Sequence, residues 1–353
     1  MRRNGWIRGG LGIVIVIMMG LPVSGAWHTM IVDDGGYAAG ATSLALDSQD
    51  RPCISYSDYF NGNLKYARND GSGWTLTTVD DAGDVGADSS LALDSQDLPH
   101  ISYLDITNGA LKYAWNDGKG WTLTTVHDAG FAMARTSLAL DSQGFPHISY
   151  LGYGSSHGDL NYTWKDAGGW NTTTVDSNGD VGGETSLALD SQDFPHISYF
   201  DYENGDLKYA WKDAGGWHTT TVDSKGDVGT HTSLALDSHG RPRISYHEWS
   251  GHNLKYAWKD ARGWHTRRVD TTGNVGAYTS LALDSRDRPR ISYYGGNDNL
   301  KYARKDTQGW HTAGVDKTGI VGLYTSLALD SHGRPCISYI DATNYYLKYA
   351  WKD

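Results

Sequence analysis

A set of chemically different side chains recurs along this 353-residue chain at nearly constant spacing. In chain order the set is Ala41, Asp88, Arg135, Glu184, His231, Tyr278 and Tyr324. Each member lies two positions before a Ser-Leu-Ala-Leu-Asp-Ser segment. Carboxylates, a guanidinium and an imidazole hydrogen-bond to hydroxyl-rich ligands, and tyrosine faces stack on sugar rings. A scaffold that brings these positions together would make them one binding site.

Two further candidates, Tyr202 and Trp249, lie in short segments that vary between otherwise similar repeats. Aromatic residues mixed with polar ones on variable segments of a rigid scaffold are typical of recognition surfaces. The pattern favours a non-catalytic module that binds an extracellular ligand, with a glycan as the best-fitting class. A protein-interaction scaffold of the cell envelope stays open as an alternative, as does free drift of solvated residues between the copies.

A glycoside hydrolase is the third alternative, since cleavage of a glycosidic bond commonly needs two flanking carboxyl groups. Asp88, Glu184 and Glu248 are the unusual acids available, because Glu is rare in this chain. A sialidase-like site would also need several arginines, and only Arg135 lies in the recurring set. No nucleophile–base set is recognisable. We therefore expect no catalytic residues, and we expect Asp88, Arg135 and Glu184 to form a salt-bridged cluster.

Two patterns suggest metal binding, but strand and turn structure also explains them. His100, His147 and His196 follow a proline in consecutive repeats, where other repeats have Arg or Cys. This favours a bond to the aspartate that ends the preceding strand over a metal site. The loops 176–180 and 223–227 alternate oxygen-bearing side chains, as calcium loops do, without completing one. No cofactor is predicted, and calcium stays possible at these loops.

The two cysteines, Cys53 and Cys336, occupy that same slot after the proline in the first and last repeats. An exported protein folds in an oxidising environment, where a disulfide between them would close the structure. The bond requires Cα atoms within about 7 Å of each other. Other repeats fit His or Arg in this slot, which favours a larger separation, so both outcomes stay open.

The scaffold is predicted by seven copies of one unit. The Ser-Leu-Ala-Leu-Asp-Ser segments begin at residues 43, 90, 137, 186, 233, 280 and 326. Each unit contains four short segments rich in aromatic and β-branched residues and bounded by Gly, Asp, Asn and Pro. In the second copy these are Leu91–Asp94, His100–Tyr103, Leu111–Trp115 and Trp121–Val126. Four strands in about 40–50 residues is typical of a propeller blade.

The ends of the repeat array predict how the ring closes. A lone fourth strand, Trp27–Val32, precedes the first unit, and residues 326–353 supply only the first three strands of the last. The sequence therefore predicts an all-β, seven-bladed β-propeller over residues 27–353, in which the N-terminal strand completes the last blade. The first strand of each blade should line the central channel, so the recurring set should ring the channel mouth on the face that carries the variable loops.

Charge and composition limit the partners. The chain has 30 basic and 41 acidic residues, and 27 basic and 41 acidic remain without residues 1–26. So acidic a surface disfavours nucleic acid. Residues 1–26 combine three arginines, an apolar run at 11–21 and small residues Ser24 and Ala26, as a secretory signal peptide does. We expect an exported, monomeric protein with no membrane attachment after cleavage.

The unit SLALDSQDFPHISYFDYENGDLKYAWKDAGGW, residues 186–217, resembles a repeat of secreted prokaryotic β-propeller proteins that are loosely grouped with sialidase-like, or BNR, propellers. Its Asp-Ala-Gly-Gly-Trp turn at 213–217 is similar to the sialidase Asp-box, Ser-x-Asp-x-Gly-x-x-Trp, but lacks the leading Ser and is one residue shorter. The resemblance covers residues 27–353. It implies the propeller architecture and leaves activity undetermined, because function on this fold lies in the site.

Overall fold

Twenty-eight β-strands occupy most of the part of the chain that the structure, a computed structural model, describes: residues 25–35, 38–128, 134–153 and 157–353. In chain order they are β1 (Trp27–Asp33), β2 (Ala38–Leu46), β3 (Pro52–Asp58), β4 (Asn63–Asn69), β5 (Trp74–Asp80), β6 (Val85–Leu93), β7 (Pro99–Asp105), β8 (Ala110–Asn116), β9 (Trp121–Asp128), β10 (Ala134–Leu140), β11 (Pro146–Tyr153), β12 (Gly158–Asp166), β13 (Gly169–Asp176), β14 (Val181–Leu189), β15 (Pro195–Asp201), β16 (Asp206–Asp213), β17 (Gly216–Asp223), β18 (Val228–Leu236), β19 (Pro242–Glu248), β20 (Asn253–Asp260), β21 (Gly263–Asp270), β22 (Val275–Leu283), β23 (Pro289–Gly295), β24 (Asn299–Asp306), β25 (Gly309–Asp316), β26 (Val321–Leu329), β27 (Pro335–Asp341) and β28 (Tyr346–Lys352).

These strands form seven four-stranded antiparallel sheets, which we call blades 1 to 7 in chain order. Blade 1 is β2–β5, and each following group of four strands makes the next blade. Blade 7 has the order β1-β28-β27-β26, with Trp27 opposite Lys352, so the first strand completes the last sheet. The innermost strands of neighbouring blades contact one another around the ring, including β2 with β26. The predicted seven-bladed β-propeller is confirmed.

The repeated Ser-Leu-Ala-Leu segment joins the innermost strands of adjacent blades. The hydroxyl of Ser43 accepts a hydrogen bond from the backbone N–H of Leu91 in the next blade, at 2.9 Å. The same bond recurs at every blade junction, and Ser326 closes the series by accepting from Leu44 N–H at 3.0 Å. Strand pairing alone would leave these inner-edge N–H groups unpaired. The recurrence of this Ser therefore has a structural cause.

A second contact links the outer strand of each blade to the next blade. The carboxylate of Asp80, at the end of β5, accepts from the hydroxyl of Tyr103 at 2.7 Å and pairs with the ammonium of Lys112. Equivalent Asp–Tyr–Lys groups join six of the seven blade pairs. Between blades 2 and 3, His127 replaces the aspartate and bonds to Tyr150 at 2.7 Å. These buried tyrosines hold the blades together around the ring.

The inner strand begins earlier than the sequence pattern predicts. In blade 2 the predicted strand starts at Leu91, whereas β6 starts at Val85. The difference arises because the pairing of β6 with β7 is interrupted by register shifts between Val85 and Ala87 and between Ala87 and Ser90. Such bulges break the period-two alternation by which a strand is recognised in sequence. Asp94 lies beyond the strand, in the following turn.

The loop before each blade's first strand and the loop after its second strand meet at one end of the ring. The backbone N–H of Trp249, after β19, bonds to the carbonyl of Asp227, before β18, at 2.8 Å. Tyr202 bonds to the carbonyl of Asp180 in the same way, at 2.8 Å. We call this end the loop face, and the opposite end, with the short turns, the turn face.

The two cysteines remain free thiols, so the disulfide considered from the sequence does not form. Cys336 packs in a core cluster between blades 7 and 1, with Ile54 and Tyr56. Cys53 packs in the next cluster, between blades 1 and 2, with Ile101 and Tyr103. Each thiol is buried in its own blade junction, which is why neighbouring slots do not bring them into contact.

Residues 1–24 lie outside the described part of the chain, so the predicted signal peptide stays a prediction. Among the described residues, no helix has the length and apolarity that crossing a bilayer requires.

Candidate binding site at the channel mouth

The recurring set lies at the bulge of each inner strand. Gly183 in β14 pairs with Phe200, while the next paired residue, Ser186, pairs with Ser198, so Glu184 and Thr185 together oppose one residue. Six members of the set have left-handed backbone conformations, with φ between 48° and 54°. They are Asp88, Arg135, Glu184, His231, Tyr278 and Tyr324. This conformation costs a non-glycine residue roughly 1–2 kcal/mol, and glycine would adopt it freely.

These six residues and Ala41 line one cavity of about 150 Å³ at the centre of the ring. The sequence placed the set at the channel mouth, and the structure brings all seven positions together there. We call this space the mouth cavity. The Thr or Ser that follows each member also lines it.

The floor beneath the mouth cavity is rigid because each of these Thr or Ser residues is tied to the preceding blade. Thr185 and Ser149 share a hydrogen bond of 2.7 Å between their hydroxyls, and Thr279 and Ser245 one of 2.6 Å. Matching pairs occur at all seven blade junctions. The hydroxyls are buried, so each bond satisfies groups that water does not reach.

Blades 2 to 4 place a charged group at the mouth. Arg135 contacts Glu184 at 3.0 Å and Asp88 at 3.8 Å, and its backbone N–H donates to Asp88 at 3.1 Å. Burial opposes the charge on Arg135, but Glu184 and Asp88 together raise its pKa. Burial raises the pKa of Glu184 despite the opposing effect of Arg135. The salt-bridged cluster expected from the sequence is therefore present, with one arginine shared by two carboxylates.

Blades 5 to 7 place a row of aromatic rings on the other side. Tyr278 lies between Tyr324 and His231, with ring centroids 4.5 Å from each. His231 continues the row to His247 at 6.0 Å, and His247 contacts Trp249 at 5.8 Å. The row runs from the mouth cavity onto the loop face, where Trp249 is 57% exposed. The mouth thus has one charged side and one aromatic side.

The two histidines in this row are neutral at physiological pH. Burial lowers the pKa of His231 to about 3, and the nearby charge of Arg135 adds to the effect. Burial likewise lowers the pKa of His247 to about 4. His231 Nδ1 and His247 Nε2 are buried and have no hydrogen-bond partner among the described residues. Both nitrogens are therefore unsatisfied polar atoms beside the mouth.

The other two predicted site residues lie beside the mouth cavity rather than in it. The ring of Tyr202 covers Gly183, next to Glu184, and packs edge-on against Phe200 at 4.9 Å. Burial raises the pKa of Tyr202 to about 12, with a contribution from Glu184. Trp249 does not line the cavity; it contacts His247, which in turn contacts His231 at the cavity wall. The sequence alone does not place His247 between His231 and Trp249, because this contact depends on the pairing of β18 with β19.

Several chemically suggestive residues have structural partners elsewhere. Glu248 is buried, bonds to Arg268 at 2.8 Å and 2.9 Å, and does not line the mouth cavity. His147 and His196 each contact the strand-end aspartate of their own blade at 3.4 Å, as the bonding interpretation predicted. Asp176, in a loop considered for calcium, accepts from Tyr199 at 2.6 Å and Lys208 at 2.5 Å. One carboxylate oxygen of Asp176 is therefore already bonded to a lysine ammonium and a tyrosine hydroxyl.

No protein-family model and no curated protein matches this sequence. Among solved structures, a catalytically inactive variant of virginiamycin B lyase from Staphylococcus aureus with quinupristin is similar, with a TM-score of 0.62, 11% identity, and coverage of 92% of this chain and 99% of the other. AofleA from Arthrobotrys oligospora is similar with a TM-score of 0.57 and 12% sequence identity, and the match covers 82% of this chain and 90% of AofleA.

A fungal lectin from Aleuria aurantia, described as a six-bladed β-propeller with a novel fucose recognition mode, gives a TM-score of 0.53 at 13% identity. The match covers 80% of this chain and 96% of the lectin. At sequence identities this low, the structural similarity establishes a shared propeller fold and nothing about the ligand.

Proposed function

We propose that this protein is a carbohydrate-binding module and that the mouth cavity is its binding site. The observation that carries the proposal is the presence of six non-glycine side chains, of five residue types, at a left-handed backbone position. Glycine would be the least strained choice in each of these six blades. Strain held at several equivalent positions is characteristic of functional sites. Here the strained backbone directs acidic, basic and aromatic groups into one cavity.

The size of the cavity limits what enters it. A volume of about 150 Å³ equals that of about five water molecules, at ~30 Å³ each. The cavity therefore accepts a terminal sugar ring or its substituent, while the remaining ligand lies across the loop face. The aromatic row toward Trp249 offers stacking surface along that path.

The two sides of the mouth match the two faces of a sugar. Asp88, Arg135 and Glu184 provide acceptors and donors for hydroxyl groups, and charge-assisted hydrogen bonds are strong. Tyr278 and Tyr324 provide apolar ring faces for the C–H groups of a pyranose. The similarity to a lectin that recognises fucose supports the ligand class and leaves the particular sugar open.

A catalytic role has weaker support. The lyase among the similar structures raises the possibility of a reaction at this mouth, and His231 would be the base available. A histidine with a pKa of about 3 is a poor proton acceptor, since a general base works best near the operating pH. Asp88 and Glu184 both pair with Arg135, and the residues that line the cavity include no recognisable nucleophile–base set. Binding therefore accounts for the mouth better than catalysis.

We also propose that residues 1–26 direct export and that the glycan is extracellular, the protein acting as a monomer. A glycan array probed with the purified protein, with and without calcium, tests the proposed function. We expect binding to a defined set of glycans that is equal in both buffers, because the first aspartate of each loop considered for calcium, Asp176 or Asp223, is paired with a lysine. A silent array in both buffers would overturn the carbohydrate proposal in favour of the protein-scaffold alternative.

A further inference from the structure

The charge of this acidic protein is unevenly distributed. Residues 228–316, which form blades 5 and 6, contain 13 Lys and Arg and 9 Asp and Glu. The rest of the chain contains 17 basic and 32 acidic residues, from totals of 30 and 41. Two adjacent blades are thus net positive within a strongly negative chain, which marks a place for a negatively charged ligand.

A cleft of about 350 Å³ lies between these two blades on the turn face. Blade 5 contributes Arg243, Tyr256 and Trp258 to its walls. Blade 6 contributes Arg288 from the turn before β23 and Lys305 from the end of β24. We call it the basic cleft. It opens on the face opposite the mouth cavity and shares no residue with it.

The cations at the basic cleft are incompletely neutralised. Lys305 lies over the ring of Trp258, with Nζ 5.4 Å from the ring centroid. Neither Lys305 nor Arg267, which lies near Lys305 but not in the cleft wall, has an ion pair within the described part of the chain. Arg243 pairs with Asp237 at 2.5 Å, while its Nε is buried without a hydrogen-bond partner among the described residues. Burial, together with Arg267 and Arg243, lowers the pKa of Lys305. An anion placed here would relieve this repulsion.

The acids near the basic cleft already have other partners. Asp306 bonds to His311 at 2.9 Å and to Arg304 at 2.8 Å. Asp287 bonds twice to Ser238, through its backbone N–H at 2.9 Å and its hydroxyl at 2.6 Å. Both aspartates line the cleft, and Arg304 balances the charge of Asp306, but neither aspartate pairs with Lys305 or Arg267.

The neighbouring cleft between blades 4 and 5 provides an internal comparison. It has the same architecture, with Lys259 over Trp211 at 4.9 Å and a volume of about 470 Å³. Its equivalent of Arg243 is His196, whose pKa burial lowers, and its equivalent of Arg267 is Thr220. Arg243 and the nearby Arg267 are thus cations that the neighbouring cleft lacks, while Asp287 takes the place of its Gly240.

We propose that the basic cleft binds the carboxylate-bearing ring of an acidic saccharide, a uronic acid. A guanidinium and an ammonium bond a carboxylate strongly, and the Trp258 and Tyr256 side chains offer an adjoining apolar surface. A long phosphate polyanion fits less well, because it would extend over the acidic remainder of the protein. This site is additional to the mouth cavity and does not depend on the function proposed there.

The test is calorimetric titration of the purified full-length protein with trigalacturonate, with neutral maltotriose and a trinucleotide as comparison ligands. The variant is Arg267→Thr with Lys305→Asn, which introduces residues that other blades carry at these positions, Thr220 and Asn116. We expect trigalacturonate to bind, and the double variant to bind it at least about tenfold more weakly. Lys259→Asn, the matched control in the neighbouring cleft, should change the affinity by less than about twofold.

Four results would each overturn the proposal. The first is equal affinity for trigalacturonate and maltotriose, and the second is a loss of trigalacturonate affinity in Lys259→Asn as large as in the double variant. The third is tighter binding of the trinucleotide than of trigalacturonate. The fourth is loss of trigalacturonate binding in a mouth variant carrying Tyr278→Ala and Tyr324→Ala. If thermal unfolding shows that the double variant is not folded, the single change Lys305→Asn, expected to weaken binding severalfold, is decisive in the same titration.

Discussion

Tyr278 and Tyr324 hold the same repeat position in neighbouring blades and contact each other on the aromatic side of the mouth. Their ring centroids are 4.5 Å apart, with an interplanar angle of 47°. Both residues have left-handed backbones, with φ of 53° and 51°. Burial and the neighbouring Tyr324 raise the pKa of Tyr278 to about 12, so its hydroxyl remains protonated and able to donate at neutral pH. The pair joins an apolar surface to a hydrogen-bond donor, as a sugar-binding site requires.

The strained position gives a prediction about stability. Tyr324→Gly and Tyr324→Ala remove the same aromatic contacts, but only alanine retains the unfavourable left-handed conformation. We expect the glycine variant to be more stable than the alanine variant by about 1 kcal/mol. Urea unfolding of both variants measures the difference. An alanine variant as stable as the glycine variant would mean that the backbone position is not strained.

Arg135 should be the most sensitive charged residue at the mouth. Arg135→Gln leaves Asp88 and Glu184 facing each other without their shared cation, and the pKa of Glu184, already raised by burial, should rise further. We expect a destabilisation on the order of 2 kcal/mol at pH 7, between the effects known for exposed and buried pairs. Adding Glu184→Gln should recover part of that loss. Denaturant unfolding of the single and double variants checks this, and no recovery would contradict the shared-cation arrangement.

The contacts between outer strands and neighbouring blades predict how stability depends on pH. Burial opposes ionisation of Asp316, but bonds from Lys348, Thr318 and Tyr339 lower its pKa to about 2, from 3.8 in an unfolded chain. The pKa values of Asp33, Asp80, Asp176 and Asp270 are lowered in the same way. Below pH ~4 the unfolded chain takes up protons that the folded protein does not, so stability should fall between about pH 4 and pH 2.

The variant Asp316→Asn tests this pH dependence. It should be less stable than the natural protein at pH 7, because Lys348 loses its partner. Its further loss of stability between pH 4 and pH 2 should be smaller, because one of the titrating carboxylates is gone. Unfolding free energies measured across that range decide the matter. An identical slope for both proteins would show that Asp316 does not contribute to acid unfolding.

The exception between blades 2 and 3 offers a test of the outer-strand contact. There His127 and Asn161 replace the Asp and Lys found at the other blade junctions. His127→Asp with Asn161→Lys should restore the usual group around Tyr150, and the double variant should be more stable than either single variant. We expect a coupling energy of about 1–2 kcal/mol in a double-mutant cycle. A coupling energy near zero would indicate that the Asp–Lys pair does not act as a unit.

The number of blades and the closure of the ring were predictable because both follow directly from the sequence repeat. The spacing of the Ser-Leu-Ala-Leu-Asp-Ser segments gave the number of blades, and the unpaired strand at Trp27 gave the closure onto β28. The convergence of Asp88 through Tyr324 followed from ring symmetry, since equivalent residues in equivalent blades must meet at the same radius and height. Local sequence and symmetry were sufficient for these features.

Other features depend on contacts that a linear pattern does not contain. The left-handed backbone at Glu184 arises from a bulge whose second strand, β15, is needed to define it. The row from Tyr278 to Trp249 passes through His247, which lies on a different strand from His231. Arg243, Arg267 and Lys305 come together only because blades 5 and 6 pack side by side. The separate burial of Cys53 and Cys336 likewise required the blade junctions to be known.

The most direct test of the central claim is a titration of the glycan selected by the array into the wild-type protein and into the Tyr278→Ala/Tyr324→Ala variant. Tyr59→Ala, on an exposed loop of blade 1, serves as the control for removing a tyrosine elsewhere on the loop face. We predict that affinity falls at least about tenfold in the double variant and stays unchanged in the control. Unchanged affinity in a folded double variant would contradict the assignment of the mouth cavity as the carbohydrate site.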